Sequence, residues 1–317
     1  MKYLEYSELP AFIAAHFPGS EDSRKVGRLR QFLSDYIDTV RFFGPEGIRP
    51  SDVTIRYLND PFVIPDPLIT EFAMKTAEIM RSEGRLYDGP ASMKLAACDF
   101  NSETPMLIVQ PCDYALQAGS CFALDLPDKR FDHAGGTLRE YYRRGCIIPR
   151  VDNNPLAICL GVCGYLIVDE RGDRYLLQVR RSSKLASLED TFGPSVAGVV
   201  DYTTNHRNLQ QLITSSMACE VEEELGLRPQ EYETIPLAWS IELFRGERPQ
   251  VFCLIRTLLT REELTARLQA VPAERREFDA FELVPLYGGT IIDQKHFDTL
   301  NPEAKMNFFL MEEYLSL

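Results

Sequence analysis

Apolar residues recur at helical spacing in several places along the 317-residue chain. Ser23 to Phe43 carries them at Val26, Leu29, Phe32, Leu33, Tyr36 and Val40 and stops at Gly44, which predicts a helix. Asp66 to Arg81 is a second, with Pro67 in its first turn and Gly84 beyond its end. Short apolar or alternating segments at Met93–Ala97, Met106–Val109 and Cys121–Leu126 then read as a small sheet, and Gly136–Arg144 as a short helix. The turn Val151-Asp152-Asn153-Asn154-Pro155 is the expected boundary, dividing the chain into 1–152 and 153–317.

Beyond Pro155, Ala157–Val168 and Tyr175–Val179 form a predicted hairpin around Asp169-Glu170-Arg171-Gly172-Asp173. A strand near Ala197–Asp201 leads into a helix that opens at Asn208, with Gln211 as a capping-box partner, and closes at Gly226. Ile235–Phe244 and Val251–Leu259 make another hairpin around Gly246. Glu262–Ala270 is helical, Phe281–Leu286 a strand and Glu303–Leu317 a terminal helix. Strands gathered around one or two helices make the second unit α+β.

The helix from Asn208 carries the most informative residues, Cys-Glu-Val-Glu-Glu-Glu-Leu-Gly-Leu at 219–227. At about 100° per residue, Leu209, Ile213, Met217 and Val221 define its buried stripe, and Glu220 and Glu224 fall inside it. Glu223 flanks the stripe, Glu222 points the opposite way, and Cys219 lies off it. Converging carboxylates on a buried face need a cation or must take up protons. A hard divalent ion with oxygen ligands meets that need.

The spacing resembles the second half of the Nudix box, Arg-Glu-U-x-Glu-Glu-x-Gly-U with U aliphatic. Glu220, Val221, Glu223, Glu224, Gly226 and Leu227 match it, and Ser195–Asp201 looks like the glycine strand that enters the box. The resemblance covers about residues 156–290. It implies a Nudix-like α/β/α sandwich with a mixed sheet, preceded by a smaller mixed α+β domain. It also implies a hydrolase of nucleoside diphosphate derivatives in which Glu220, Glu223 and Glu224 hold Mg2+ or Mn2+ and act in catalysis. Gly198 and Arg180 or Arg181 would meet the substrate. Glu220, Glu242, Glu274 and Glu282 are candidates for the general base, and Tyr202, Trp239 and Phe244 for stacking on a nucleobase. Gly84–Leu95 faintly resembles the lead-in of larger nucleotide-sugar members.

Three departures stand against the match. Cys219 occupies the place of the Arg that orients the first metal-binding Glu, and Arg180, Arg181 and Lys184 are the candidates to replace that cation. Glu220 follows Gly198 by 22 residues where the family spacing is 15, and Thr204 stands where the box has its first Glu. A Nudix-like domain that binds and senses a nucleotide without cleaving it is therefore the alternative.

Composition narrows the partners. A net charge of −13 argues against a general binder of nucleic acid or anionic membrane. Eight cysteines form no Cys-x-x-Cys pair and the four histidines are scattered, which speaks against zinc. No secretory signal or spanning segment is legible, so a cytoplasmic protein with a small-molecule nucleotide substrate is expected, and a homodimer is compatible with this reading.

Overall fold

The computed structural model describes residues 41–317 except 45–46, 87, 143–150, 152–153, 184, 186–187, 189–190, 243–244, 273–274, 288–289, 292–298 and 317. The helix expected over Ser23–Phe43 therefore falls almost wholly outside the described residues, as do Lys184, Phe244 and Glu274. In chain order the first part holds β1 (Arg41–Phe42), β2 (Thr54–Tyr57), α1 (Pro67–Ser82), β3 (Ser92–Asp99), β4 (Met106–Cys112), α2 (Tyr114–Ser120) and α3 (Leu138–Tyr142). Next come β5 (Gly161–Glu170), β6 (Asp173–Arg181), β7 (Phe192–Gly193), β8 (Val196–Val199) and α4 (Leu209–Leu225). The remainder is β9 (Tyr232–Glu242), β10 (Arg248–Thr257), α5 (Arg261–Ala270), β11 (Phe278–Tyr287), β12 (Thr290–Ile291) and α6 (Pro302–Ser316).

The fold is α+β with a mixed sheet. Its order is β1-β9-β10-β5-β6-β11-β12, with β7 on β6 and β8 on β5. β10 runs parallel to β5 and antiparallel to β9. One edge of β5 is shared: its first half pairs β8 through Gly161–Gly164, and its second half pairs β6 from Leu166 onward. Ser195 sits at the split, accepting from Leu166 N and donating to Leu177 O. β5 is buried on both faces because helices cover both. A Cβ on Gly164 would press on Met217 of α4, while Tyr165, one residue on, packs edge-on against Phe308 of α6. That is the expected α/β/α sandwich.

Local chemistry sets these elements. Asp66 caps α1 through Leu68 N, and Asn208 caps α4 through Gln211 N. Gln211 reaches back to Arg207 N rather than to the Asn208 amide, so the box closes one residue further upstream than expected. Gly226 ends α4 at φ +68°, the left-handed stop. In the β5–β6 turn Arg171 and Gly172 both take positive φ, which suits a two-residue hairpin.

One expectation fails. Cys121–Leu126 is a run of turns, with no strand, because Asp113 caps α2 through Ala115 N and the chain leaves that helix directly into turns. Cys121, Phe122, Ala123 and Leu124 are all buried, in place of the alternation a half-exposed strand would give.

The small sheet β2-β4-β3 contributes Met93, Leu95, Leu107 and Val109 to the same core cluster as β5, β10 and α4. The backbone ties the parts as well. Met93 N donates to Val200 O, Leu160 N to Met93 O, Val200 N to Leu160 O, and Leu209 N to Val53 O. α1, α2 and α3 hold a second cluster around Phe72, Phe131 and Leu138. Among the described residues no helix is long and apolar enough to cross a membrane.

Candidate active site

A cavity of about 230 Å³ opens where β5's shared edge divides. Gly198 forms part of its wall, and the acidic end of α4 lies behind that glycine. A Cβ on Gly198 would stand 1.8 Å from a carboxylate oxygen of Glu220, so only glycine lets the helix carboxylate approach the strand this closely. The close approach is the structural meaning of the glycine.

The helix phase agrees with the wheel. Glu224 is 4% exposed, and its Oε1 accepts from Ala197 N at 3.2 Å. Glu220 lines the cavity and is half-buried, whereas Glu222, Glu223 and Cys219 are exposed. Burial first, then Glu277, Glu223 and Asp201, push Glu220 up to about 8, with Arg248 the cation that opposes them. Burial, Glu277 and Glu220 hold Glu224 well above the usual carboxylate range, opposed by Arg181. Burial also raises Glu277, again against Arg181. The Cys219 thiol is raised by partial desolvation and by Glu220, Glu223, Asp201 and Glu222, so it is a poor nucleophile.

Two arginines absent from the sequence reading face the cavity. Arg245 and Arg248 flank the β9–β10 turn, where Gly246 and Glu247 both have positive φ. Arg245 donates to Glu242 at 2.7 and 3.0 Å and lies 3.2 Å from Glu303 of α6. Arg248 reaches Gly198 O at 3.2 Å and Glu242 at 3.7 Å. The turn itself is anchored from below: Glu247 accepts from Asn154 Nδ2 at 2.9 Å and from Tyr142 Oη at 3.1 Å.

Of the cations expected to replace the box arginine, Arg181 lines the cavity beside Glu277, and Arg180 lies on the exposed face of β6, away from it. Arg248, which sequence reasoning missed, is the one that acts on Glu220. Its position, just past a glycine turn, reads from sequence as a solvated hairpin tip. The base candidates also redistribute. Glu242 is consumed by its arginine pairs, Glu282 is exposed, and Glu277, just before β11, faces the site. The expected strand began at Phe281, which left Glu277 in a loop. Trp239 is a core residue, edge-on to Phe100, and Tyr202 spends its hydroxyl on Leu58 O, so neither is placed to stack on a base.

Around this cavity, among the described residues, five carboxylates (Glu220, Glu224, Glu242, Glu277, Glu303) meet three guanidiniums (Arg181, Arg245, Arg248). Asp201 and Glu223 at the rim add to the negative side. Carboxyl groups outnumber guanidiniums there, and the donors are hard oxygens suited to Mg2+ or Mn2+. Among the described residues, no three His, Cys, Asp or Glu side chains are placed so that they could hold a metal ion without moving. Side-chain rotation of Glu220 or Glu223 would be part of binding.

No family model matches the chain, and no curated protein does. Solved structures do. The chain is similar to Nudix proteins. The NUDIX domain of Shewanella oneidensis NrtR complexed with ADP ribose is 16% identical over 50% of this chain and 89% of that one, with a TM-score of 0.33. NrtR complexed with a 27mer DNA is 14% identical over 49% and 61%, TM-score 0.29. A C. elegans Ap4A hydrolase is 11% identical over 50% and 98%, TM-score 0.30. DR0079 from Deinococcus radiodurans is 16% identical over 39% of this chain and 65% of that one, TM-score 0.28, so less than two thirds of that protein is spanned.

Proposed function

We propose that this protein is a metal-dependent hydrolase of the pyrophosphate linkage of a nucleoside diphosphate derivative. The observation that carries the reading is the excess of buried carboxyl groups over guanidiniums around one cavity, with Glu220 held against Gly198 and three arginines facing the same space. The nucleoside part of the substrate rests on the sequence resemblance.

Glu220, Glu223 and Glu224 would hold the Mg2+ or Mn2+, with Glu223 turning in from the rim. When bound, the ion supplies charge neutralisation at phosphate oxygens and acidifies a water. Arg181 and Arg248, each with a buried Nε that has no hydrogen-bond partner among the described residues, present donors to non-bridging phosphate oxygens. Glu277 lines the same cavity, next to Arg181, and serves as the base that accepts the proton of the attacking water. Its raised affinity for a proton suits that task near neutral pH.

The second reading, binding without turnover, rests on Cys219 in the place of the orienting arginine. A panel of nucleoside diphosphate sugars, dinucleoside polyphosphates, NAD-type cofactors and coenzyme A, with Mg2+ or Mn2+, separates the two. Glu224→Gln should abolish turnover and the thermal stabilisation by metal, since it removes a ligand charge at constant volume. Glu222→Gln should leave both nearly unchanged, because an exposed charge contributes little. Equal effects from the two substitutions would sink the assignment of the site to this face of α4.

A further inference from the structure

The cavity is not built from the Nudix-like part alone. Gly89, Pro90, Ser92, Tyr114 and Phe122, all from the first part of the chain, form one side of it. Phe122 lies beneath Arg245, its ring centre 5.9 Å from the guanidinium carbon, and Tyr114 packs edge-on against Phe122 at 6.3 Å. Tyr114 is the first residue of α2, directly after the Asp113 cap, so its ring is fixed by the start of a helix rather than by a free loop.

Its surroundings are those of the site. The groups that act electrostatically on the Tyr114 hydroxyl are Glu277, Arg248, Arg181 and Arg245. Burial, the largest influence, pushes that hydroxyl up to about 12, which keeps its proton in place as a donor at all physiological pH. The wall is also rigidly registered against the helix carboxylates. Tyr202 N donates to Ala91 O at 2.7 Å and Met93 N to Val200 O at 2.7 Å, so β3 and its lead-in are fastened to the chain leaving Gly198. At the other end, a Cβ on Gly246 would lie 3.1 Å from Cys121 Sγ, so the turn between Arg245 and Arg248 is pressed onto the end of α2.

We infer that the first part of the chain completes the active site, and that the Tyr114 hydroxyl is a substrate-contacting donor to a non-bridging oxygen of the bound pyrophosphate. This rests on the pyrophosphohydrolase reading and deepens it. Tyr114 lines the same cavity as Glu220, Glu277 and the three arginines, and supplies a neutral donor among those charged groups. A neutral donor adds a contact to the phosphate without deepening the pairing of the arginines with their acids.

The test uses the full chain and methylene bisphosphonate, a pyrophosphate analogue whose bridging carbon prevents hydrolysis. Calorimetry with saturating Mg2+ should give binding to wild type, and binding to Tyr114→Phe weaker by roughly tenfold, the value of one hydrogen bond to a charged group. Mg2+ binding alone and the thermal midpoint should be the same in both proteins, which distinguishes a substrate contact from a structural role. On a substrate found by the panel, kcat/KM of the variant should fall by roughly tenfold or more, in step with the loss of bisphosphonate affinity. Equal bisphosphonate affinity in the two proteins, or none in wild type, would overturn the inference. Wild-type binding that weakens in Tyr114→Phe, in a protein that turns over nothing in the panel, would uphold the contact while overturning the hydrolase reading.

Discussion

Gly198 and Glu220 show how much a single missing methyl group can decide. The glycine has no left-handed backbone requirement; its role is to leave room, since a Cβ would overlap the Glu220 carboxylate at 1.8 Å. Gly198→Ala should therefore fold, with the flexible end of Glu220 swung away from the strand. The expected outcome is loss of metal-induced stabilisation in thermal unfolding, together with a modest destabilisation of about 1–3 kcal/mol from overpacking. An alanine variant that keeps the full metal response would show that Glu220 binds metal from another position. Arg248 reaches the same glycine through its carbonyl oxygen, so one residue positions both the acid and the cation that opposes it.

At the scale of the element, α4 carries a charge problem that pH should expose. Glu220 has its carboxyl raised to about 8 in the folded protein from an ordinary value of 4.5, and burial holds Glu224 well above the usual carboxylate range too. Between those values the folded state holds protons that the unfolded state has released. The contribution of these two groups to the stability of the metal-free protein is thus fully present at the acid end of this range and is lost as pH rises from about 5 through 8. Saturating Mg2+ should flatten this slope, because the ion takes the protons' place. Metal binding at pH 7 should release protons, countable by calorimetry in two buffers of different ionisation enthalpy. A midpoint independent of pH without metal, and no proton release with it, would mean that Arg248 and Arg181 already keep these carboxylates ionised.

The helix's phase was readable because its determinants are local: the Asn208 cap, the Gly226 stop and the apolar stripe all lie within the segment. Arg245 and Arg248 were not readable, since their inward aim depends on the Glu247 backbone at φ +65° and on Asn154, more than 90 residues away. Glu277 was missed for a similar reason. β11 starts three residues before the apolar pattern does, held by pairing with Arg181 on β6. In the first part of the chain, α1, β3 and β4 were legible, whereas the buried run at Cys121–Leu124 mimics a strand by composition alone.

On the scale of the whole molecule, the boundary expected near residue 152 falls among residues outside the description, but the contacts across it are plain. Met93, Leu95, Leu107 and Val109 sit in the core of β5, β10 and α4. A protein comprising residues 153–317 alone would expose the apolar surface those side chains cover. It should lack the cooperative thermal transition of the full chain, as read by calorimetry or near-ultraviolet dichroism. A sharp, fully reversible transition in the fragment would show that its core closes without them.

The seam where Met93, Leu160 and Val200 exchange backbone hydrogen bonds has a consequence for how binding would be seen from outside. Amides at a seam between loosely docked lobes exchange with solvent through local opening, but here each donor is buried within a shared ladder. Their deuterium uptake should track global unfolding, as slow as that of the central strands. A compound that fills the cavity would then slow uptake on both sides of residue 152 together. The protection pattern would report occupancy of the site even for a ligand that is never turned over.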